Sequence, residues 1–235
     1  MQEIHFLIAV FEFILLLFSL SVHECAHAWM ASRLGDQTAR MQGGVTLNPA
    51  YHIDPIGTLL FPGLAIFGPF IGFTFFSGLI VGWAKPTPIT TRNFRRITRD
   101  DNITTLAGPA SNLLLALLGF VALAAISVAV PNGHELVMAT FEGSVALGAA
   151  LPAVVLLAFL AIKINLSLMA FNLLPIPPLD GSRLVRNMLP YNAVQVYDRI
   201  PIWVSYLFMI VFGGTLIYLV LNPMLALVYL ALQLI

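Results

Sequence analysis

Five apolar runs set the terms for this chain: residues 4–34, 56–83, 103–130, 144–174 and 202–221. A hydrocarbon core about 30 Å thick needs about 20 helical residues to cross it. Most of these runs reach that length, and a soluble core has no use for them. Composition agrees: 59% of the residues are hydrophobic and 9% charged, with a mean hydropathy of +0.92. A soluble domain carries about 25% charge. The same figures exclude a disordered chain. The 11 basic and 11 acidic residues cancel, so there is no electropositive footprint for nucleic acid. Cys25 is the single cysteine, which excludes an intrachain disulfide. The first run is not a cleavable signal peptide. It lacks a basic n-region, and His23 to His27 stand where small cleavage-site residues belong.

The runs differ in how they are interrupted. The second is broken by Pro62, Gly63, Gly68, Pro69, Gly72, Gly78 and Gly82. The third opens near Ala107-Gly-Pro-Ala-Ser-Asn112. The fourth stops at Pro175, because the residue before a proline is pushed out of the α region. An irregular stretch, Pro175 to Gly181, follows. The fifth is broken at Asn222-Pro223, and the 12 residues beyond are too few to cross comfortably. Between the first two runs, Gly43-Gly44 and the alternating Val45-Thr46-Leu47 predict a turn and a short strand. There are no repeats, no low-complexity linker and no insertion large enough for an accessory soluble domain. The fold class expected is an all-α polytopic membrane protein. It has about four to five spanning helices, a re-entrant or broken segment near 56–83, and a small membrane-associated β element near 40–50.

Charge fixes the arrangement. If residues 56–83 dip in and return, ten of the eleven basic residues share one face: Arg33, Arg40, Lys85, Arg92, Arg95, Arg96, Arg99, Arg183, Arg186 and Arg199. The exception is Lys163, inside the fourth run. If the segment crosses fully, the charge scatters. Positive charge marks the cytoplasmic side. The expected topology therefore has a re-entrant second run, the amino terminus outside, and the carboxyl end of the first helix at the cytoplasmic face. Irregular backbone at that depth must be buried in protein or line a wet cavity.

His23-Glu24-Cys25-Ala26-His27 lies inside the first run. Imidazoles four residues apart share a helix face and can clasp one zinc ion, with Glu24 beside it as general base. Ionisable groups in a membrane helix are costly and read as functional. Phe6 to His23 rises roughly 26 Å, which sets the motif just inside the cytoplasmic edge, within reach of water. A hydrolytic zinc site takes three protein ligands and keeps one open position. Asp180 is the best third ligand: it follows a proline-rich break, precedes Gly181, and returns to the same face as the histidines.

These residues resemble a site-2 protease, a family of intramembrane zinc metalloproteases. His23-Glu24-Cys-Ala-His27 in a membrane helix carries the resemblance. So does Asn172-Leu-Leu-Pro-Ile-Pro-Pro-Leu-Asp180-Gly181, which is similar to the family's Asn-Pro-Leu-Asp-Gly element. Gly82-Trp-Ala-Lys-Pro86 and Ala107 to Asn112 resemble the compact bacterial and archaeal members. The resemblance covers about residues 10 to 190. It implies one zinc ion per chain on His23, His27 and Asp180, Glu24 as catalytic base, and Asn172 near the active site, holding substrate backbone or the oxyanion. It implies a single membrane-embedded protease domain over 1–235, with a catalytic core at about 4–190 and carboxy-terminal helices at about 201–235. PDZ or CBS gating is not expected. The expected partners are the lipid bilayer and single-pass or other membrane-protein substrates, and the expected location is the cell membrane. The segment to be cut must unwind before attack, and an extended strand could dock against Val45 to Leu47 or a neighbouring edge.

Other polar residues have plainer expectations. Cys25 is about 200° around the helix from His23 and points away from it. His52 and Asp54 make local turn contacts. Lys163 snorkels or pairs within the bundle, and Asn165 bonds between helices. Asn112 caps or bridges helices, or else touches substrate. His5 and His134 are solvated at the outer face. The basic loop 84–102 anchors the chain to anionic headgroups. A metal carrier is the rival function, but it needs ligands along a path across the bilayer, and here they gather at one depth. An inactive zinc-binding scaffold is the other rival; the complete ligand set and base argue against it.

Overall fold

A computed structural model describes residues 2–74, 84–144 and 149–235. Every regular element among the described residues is helical. Helix α1 (Gln2–Leu34) is followed by two single turns, α2 (Thr38–Met41) and α3 (Pro49–His52). A broken helical segment comes next: a π-helical turn at Pro55–Leu60, α4 (Phe61–Phe67) and a 3-10 turn at Gly68–Ile71. After a short 3-10 turn at Thr91–Asn93 come α5 (Ile97–Ala129), α6 (Gly133–Phe141) and α7 (Ala150–Asn172). The chain ends with α8 (Asp180–Met188), α9 (Tyr191–Tyr197) and α10 (Ile202–Gln233).

Four of these helices are long and apolar enough to cross a membrane: Ile4–Leu34, Ile97–Ala129, Ala150–Asn172 and Ile202–Gln233. Their directions follow from side-chain pairs. His27 meets Thr104 and His23 meets Asn112, so α1 and α5 run antiparallel. Glu12 meets Lys163 and Ser19 meets Asn165, so α1 and α7 run parallel. Helices α5 and α7 come close at Gly119, where an added Cβ would stand 2.9 Å from Ile162 Cγ1 and 3.0 Å from the Ala158 carbonyl oxygen. Small residues permit such approach between membrane helices. Leu123, Val137, Val155, Ile162 and Leu166 fill the core that results, and Met209, Ile217 and Leu232 of α10 close it.

The segment between α3 and α5 leaves and returns at one place. The Lys85 amide donates to the His52 carbonyl at 2.9 Å, so residues 53–84 begin and end side by side. The described part of the expected segment is a broken helix; residues 75–83 lie outside the described residues. Its start is set locally, with Pro55 in the first turn and Asp54 accepting the amides of Ile56 (3.0 Å) and Gly57 (2.7 Å). This is the local contact expected of Asp54. His52 has its own, to the Thr46 carbonyl at 2.9 Å.

Three expectations are corrected. No strand forms near 40–50. Gly43, at φ +81°, turns the chain back, the Gly44 amide bonds the Ala39 carbonyl, and Asn48 caps α3 by accepting the Ala50 amide. The Thr46 carbonyl is engaged by His52. Second, Asn222-Pro223 does not end a helix: α10 continues through Pro223 to Gln233. Proline costs a membrane helix little where neighbouring contacts persist. Here Leu221, Met224, Leu225 and Leu232 all pack on the core on either side of it. Third, the helix that carries the run expected at 103–130 starts earlier, at Ile97, with Pro109 inside it.

Candidate metal centre

Two turns of α1 place His23 and His27 on one face, buried, with ring centroids 4.7 Å apart. Each imidazole is oriented by its far nitrogen. His23 Nδ1 is 2.6 Å from Asn112 Oδ1, and His27 Nδ1 is 2.8 Å from the Thr104 carbonyl oxygen. Asn112 is itself pinned, because its Nδ2 donates to Asn165 Oδ1 at 2.9 Å while Asn165 Nδ2 donates to Ser19 Oγ at 3.0 Å. With its Nδ2 spent as donor, Asn112 can offer His23 only an acceptor. Both histidines therefore carry their proton on Nδ1 and turn a lone pair on Nε2 toward the centre.

Asp180 opens α8 and completes the arrangement. Its Oδ2 lies 3.1 Å from His23 Nε2 and 3.2 Å from His27 Nε2, and the two nitrogens are 3.1 Å apart. Three acceptor atoms in mutual contact are stable only around positive charge. Ligand atoms of a tetrahedral zinc site with bonds of about 2.0–2.1 Å stand about 3.3 Å apart, and the triangle here matches that spacing. Glu24 also brings a carboxylate oxygen within 4.8 Å of both imidazoles. Asp180 is the better third ligand, because its oxygen is already at ligand spacing and Glu24 is engaged elsewhere.

That engagement is with Thr87. Its amide donates to Glu24 Oε2 at 3.0 Å, and its hydroxyl is 2.8 Å from the same oxygen. Two glycines make room for the centre. A Cβ on Gly108 would fall on Nε2 of His23 and His27, and one on Gly181 would collide with the Leu173 and Leu174 carbonyls. Helix α8 is fastened to the start of α5 by Arg183, 2.6 Å from Asp101 Oδ1. Asn187 Nδ2 adds bonds to Asp101 Oδ2 and Asn102 Oδ1, both at 2.7 Å.

The residues singled out from sequence thus sort clearly. His23, His27, Asp180 and Glu24 come together. Of the two readings of Asn112, the structure takes the helix bridge rather than the substrate or oxyanion contact: it is fully buried, and its amide is used by His23 and Asn165. Asn172 turns its amide back to the Leu168 carbonyl at 3.0 Å. Asn165 makes the interhelical bonds expected of it, and Lys163 pairs with Glu12 at 3.5 Å. His134 is not simply solvated, since its Nδ1 is 3.0 Å from Ser127 Oγ. Cys25 is half-buried and outside the cluster. Thr87, Thr104, Asp101, Arg183 and Asn187 were not legible as site residues. Their contacts to Glu24, to His27 and across the α5–α8 junction span 63 to 86 residues of chain. The one available signal was Arg183, a single turn past Asp180.

Comparison with known proteins agrees with this chemistry. The family model described as Peptidase family M50 matches residues 11–212. The chain is 35% identical over 214 residues to the candidate zinc metalloprotease YwhC of Bacillus subtilis, covering 90% of this chain and 84% of that one. It is 33% identical over 165 residues to the candidate zinc metalloproteases named Rip2 in Mycolicibacterium smegmatis and Mycobacterium tuberculosis. That match covers 70% of this chain and 52% of theirs, so the chain spans about half of each Rip2 protein. No solved structure gives a significant match.

Proposed function

We propose that this chain, which belongs to peptidase family M50 and is a metalloprotease of the site-2 type, hydrolyses a peptide bond in or near a transmembrane segment of a membrane-protein substrate, with Glu24 as general base. The observation that carries the proposal is the triangle of His23 Nε2, His27 Nε2 and Asp180 Oδ2 at 3.1–3.2 Å, built from helices 157 residues apart in sequence.

His23, His27 and Asp180 would hold one zinc ion. When bound, zinc lowers the pKa of a water and polarises the scissile carbonyl. Asn112 and the Thr104 carbonyl fix the imidazole tautomers and so keep the geometry and basicity of the two Nε2 atoms in place. Thr87 occupies Oε2 of Glu24, and among the described residues Oε1 has no hydrogen-bond partner. Oε1 accepts the proton of the attacking water, and the carboxyl then delivers it to the leaving amine. Asn172, at the end of α7 and beside the irregular stretch that leads to Asp180, is the residue proposed to meet substrate backbone.

The chain is a multi-pass membrane protein by its four apolar helices and its family. Its basic residues are concentrated at the end of the bundle that carries the centre, which supports a cytoplasmic-side active site and an external amino terminus. The test is cleavage of single-pass membrane proteins by purified protein in detergent, with bound zinc counted. Wild type should hold one zinc and cleave. Glu24→Gln should hold zinc and fail to cleave. Normal cleavage by Glu24→Gln would remove the base assignment.

A further inference from the structure

We infer that Thr87 is a positioning residue for Glu24: its hydroxyl and amide together grip one carboxylate oxygen and leave the other to do the proton transfer. The inference deepens the proposed peptidase function and rests on it. The Thr87 amide is 3.0 Å from Glu24 Oε2 and its Oγ1 is 2.8 Å from the same atom. Oγ1 also lies 3.1 Å from the Glu24 carbonyl oxygen. A hydroxyl has one proton, and it goes to the charged acceptor, where hydrogen bonds are about twice as strong as between neutral groups. A glutamate side chain on a helix is otherwise free to swing through several rotamers. Here it is stopped in one, with a carboxylate oxygen within 4.8 Å of the imidazole nitrogens.

The grip is credible because Thr87 is itself held. It lies between Pro86 and Pro88, which fix φ and have no amide to donate. On one side the Lys85 amide is tied to the His52 carbonyl at 2.9 Å. On the other, the Thr90 amide is tied to Asp36 Oδ2 at 2.7 Å. Asp36 is buried at the end of α1 and also receives the Thr38 hydroxyl and Asn93 Nδ2. Residues 85–90 therefore form a strap pinned at both ends, stretched past Glu24, with one hydroxyl aimed at the base. The general base is oriented by a segment that is not helical and carries no metal ligand.

The test compares Thr87→Val, Thr87→Ser and Glu24→Gln in the full zinc-loaded chain. The probe is a quenched-fluorescence peptide containing one apolar segment of about 20 residues. Thr87→Val keeps the amide bond and the side-chain shape but loses the hydroxyl. Its kcat should fall about tenfold, with KM within about twofold and zinc content unchanged, as expected when one hydrogen bond to a charged group is lost. Thr87→Ser should restore kcat. A second readout needs no turnover: in cobalt-substituted protein, the visible spectrum of Thr87→Val should move toward that of Glu24→Gln, and that of Thr87→Ser should stay with wild type. Undiminished kcat or an unmoved spectrum in Thr87→Val overturns the inference, as does a serine variant no better than valine. Glu24→Gln cutting at the wild-type rate would instead sink the peptidase mechanism on which the inference rests.

Discussion

His23 and His27 reach the metal centre from the middle of a packed bundle, whereas Asp180 and Thr87 reach it from short segments at the bundle's end. Behind the imidazoles stand Asn112, Thr104, Asn165 and Ser19, none more than 2% exposed and all on spanning helices. Asp180 depends on α8, nine residues long and held to α5 by Arg183, whose side chain is 36% exposed. Thr87 depends on the strap. One half is thus set by the membrane bundle itself. The other is set by polar contacts that water can reach, which are weaker and exchange more readily. Under the proposed function, the half that would yield to an incoming substrate is the half bearing Asp180 and the hold on Glu24.

That contrast can be broken or sharpened by substitution. The largest effect belongs to the centre itself: Asp180→Ala should abolish both zinc retention and cleavage, read by metal analysis after dialysis. Retention of one tightly held zinc would mean that the bundle half suffices alone. Next comes Asn112→Ala, which frees the His23 ring and should weaken zinc binding about 10–100-fold, the usual cost of losing a second-shell partner. Arg183→Ala should cost less, a few-fold in zinc affinity and mainly as faster release, because the ion pair it removes is partly solvated. If Arg183→Ala proves worse than Asn112→Ala, the ranking of the two halves is reversed.

Acid should act on the yielding half first. Burial pushes the Asp36 carboxyl upward, but the side chains of Thr38 and Asn93 and the amides of Thr90 and Thr38 outweigh it and hold the group below its ordinary range. A carboxylate with a lowered folded-state pKa contributes stability that is full above the unfolded value of about 3.9 and is lost as pH falls through the folded value. Detergent unfolding should therefore lose stability below about pH 4, and Asp36→Asn should be less stable at neutral pH with a flatter acid limb. The smallest effect is reserved for Arg186→Gln. Its partner Asp198 is exposed, at 2.8 Å, and the unfolding midpoint should not move.

Much of this architecture was legible in the chain because a bilayer leaves few choices. Runs of 20 or more apolar residues must be helices, and the four-residue spacing of His23 and His27 on one of them fixes their shared face. The failures have a common cause. Val45-Thr46-Leu47 alternates like a strand, but the pattern cannot say whether a partner strand exists, and His52 takes the Thr46 carbonyl instead. Asn222-Pro223 reads as a stop by local propensity, and packing on both sides of it overrides that. Asn112 leaves two readings open in the sequence, helix bridge or substrate contact, and only its neighbours reveal that it bridges His23 and Asn165.

The sequence by itself determined the medium, the spanning helices and the identity of the metal-binding pair, because hydropathy and helical period act over one to twenty residues. Tertiary structure alone decided the 3.1–3.2 Å spacing at which Asp180 meets the two histidines, which nitrogen of each imidazole faces inward, and what holds the base. Those are contacts of a few ångströms between residues 63 to 157 positions apart. They exist only once the helices have packed.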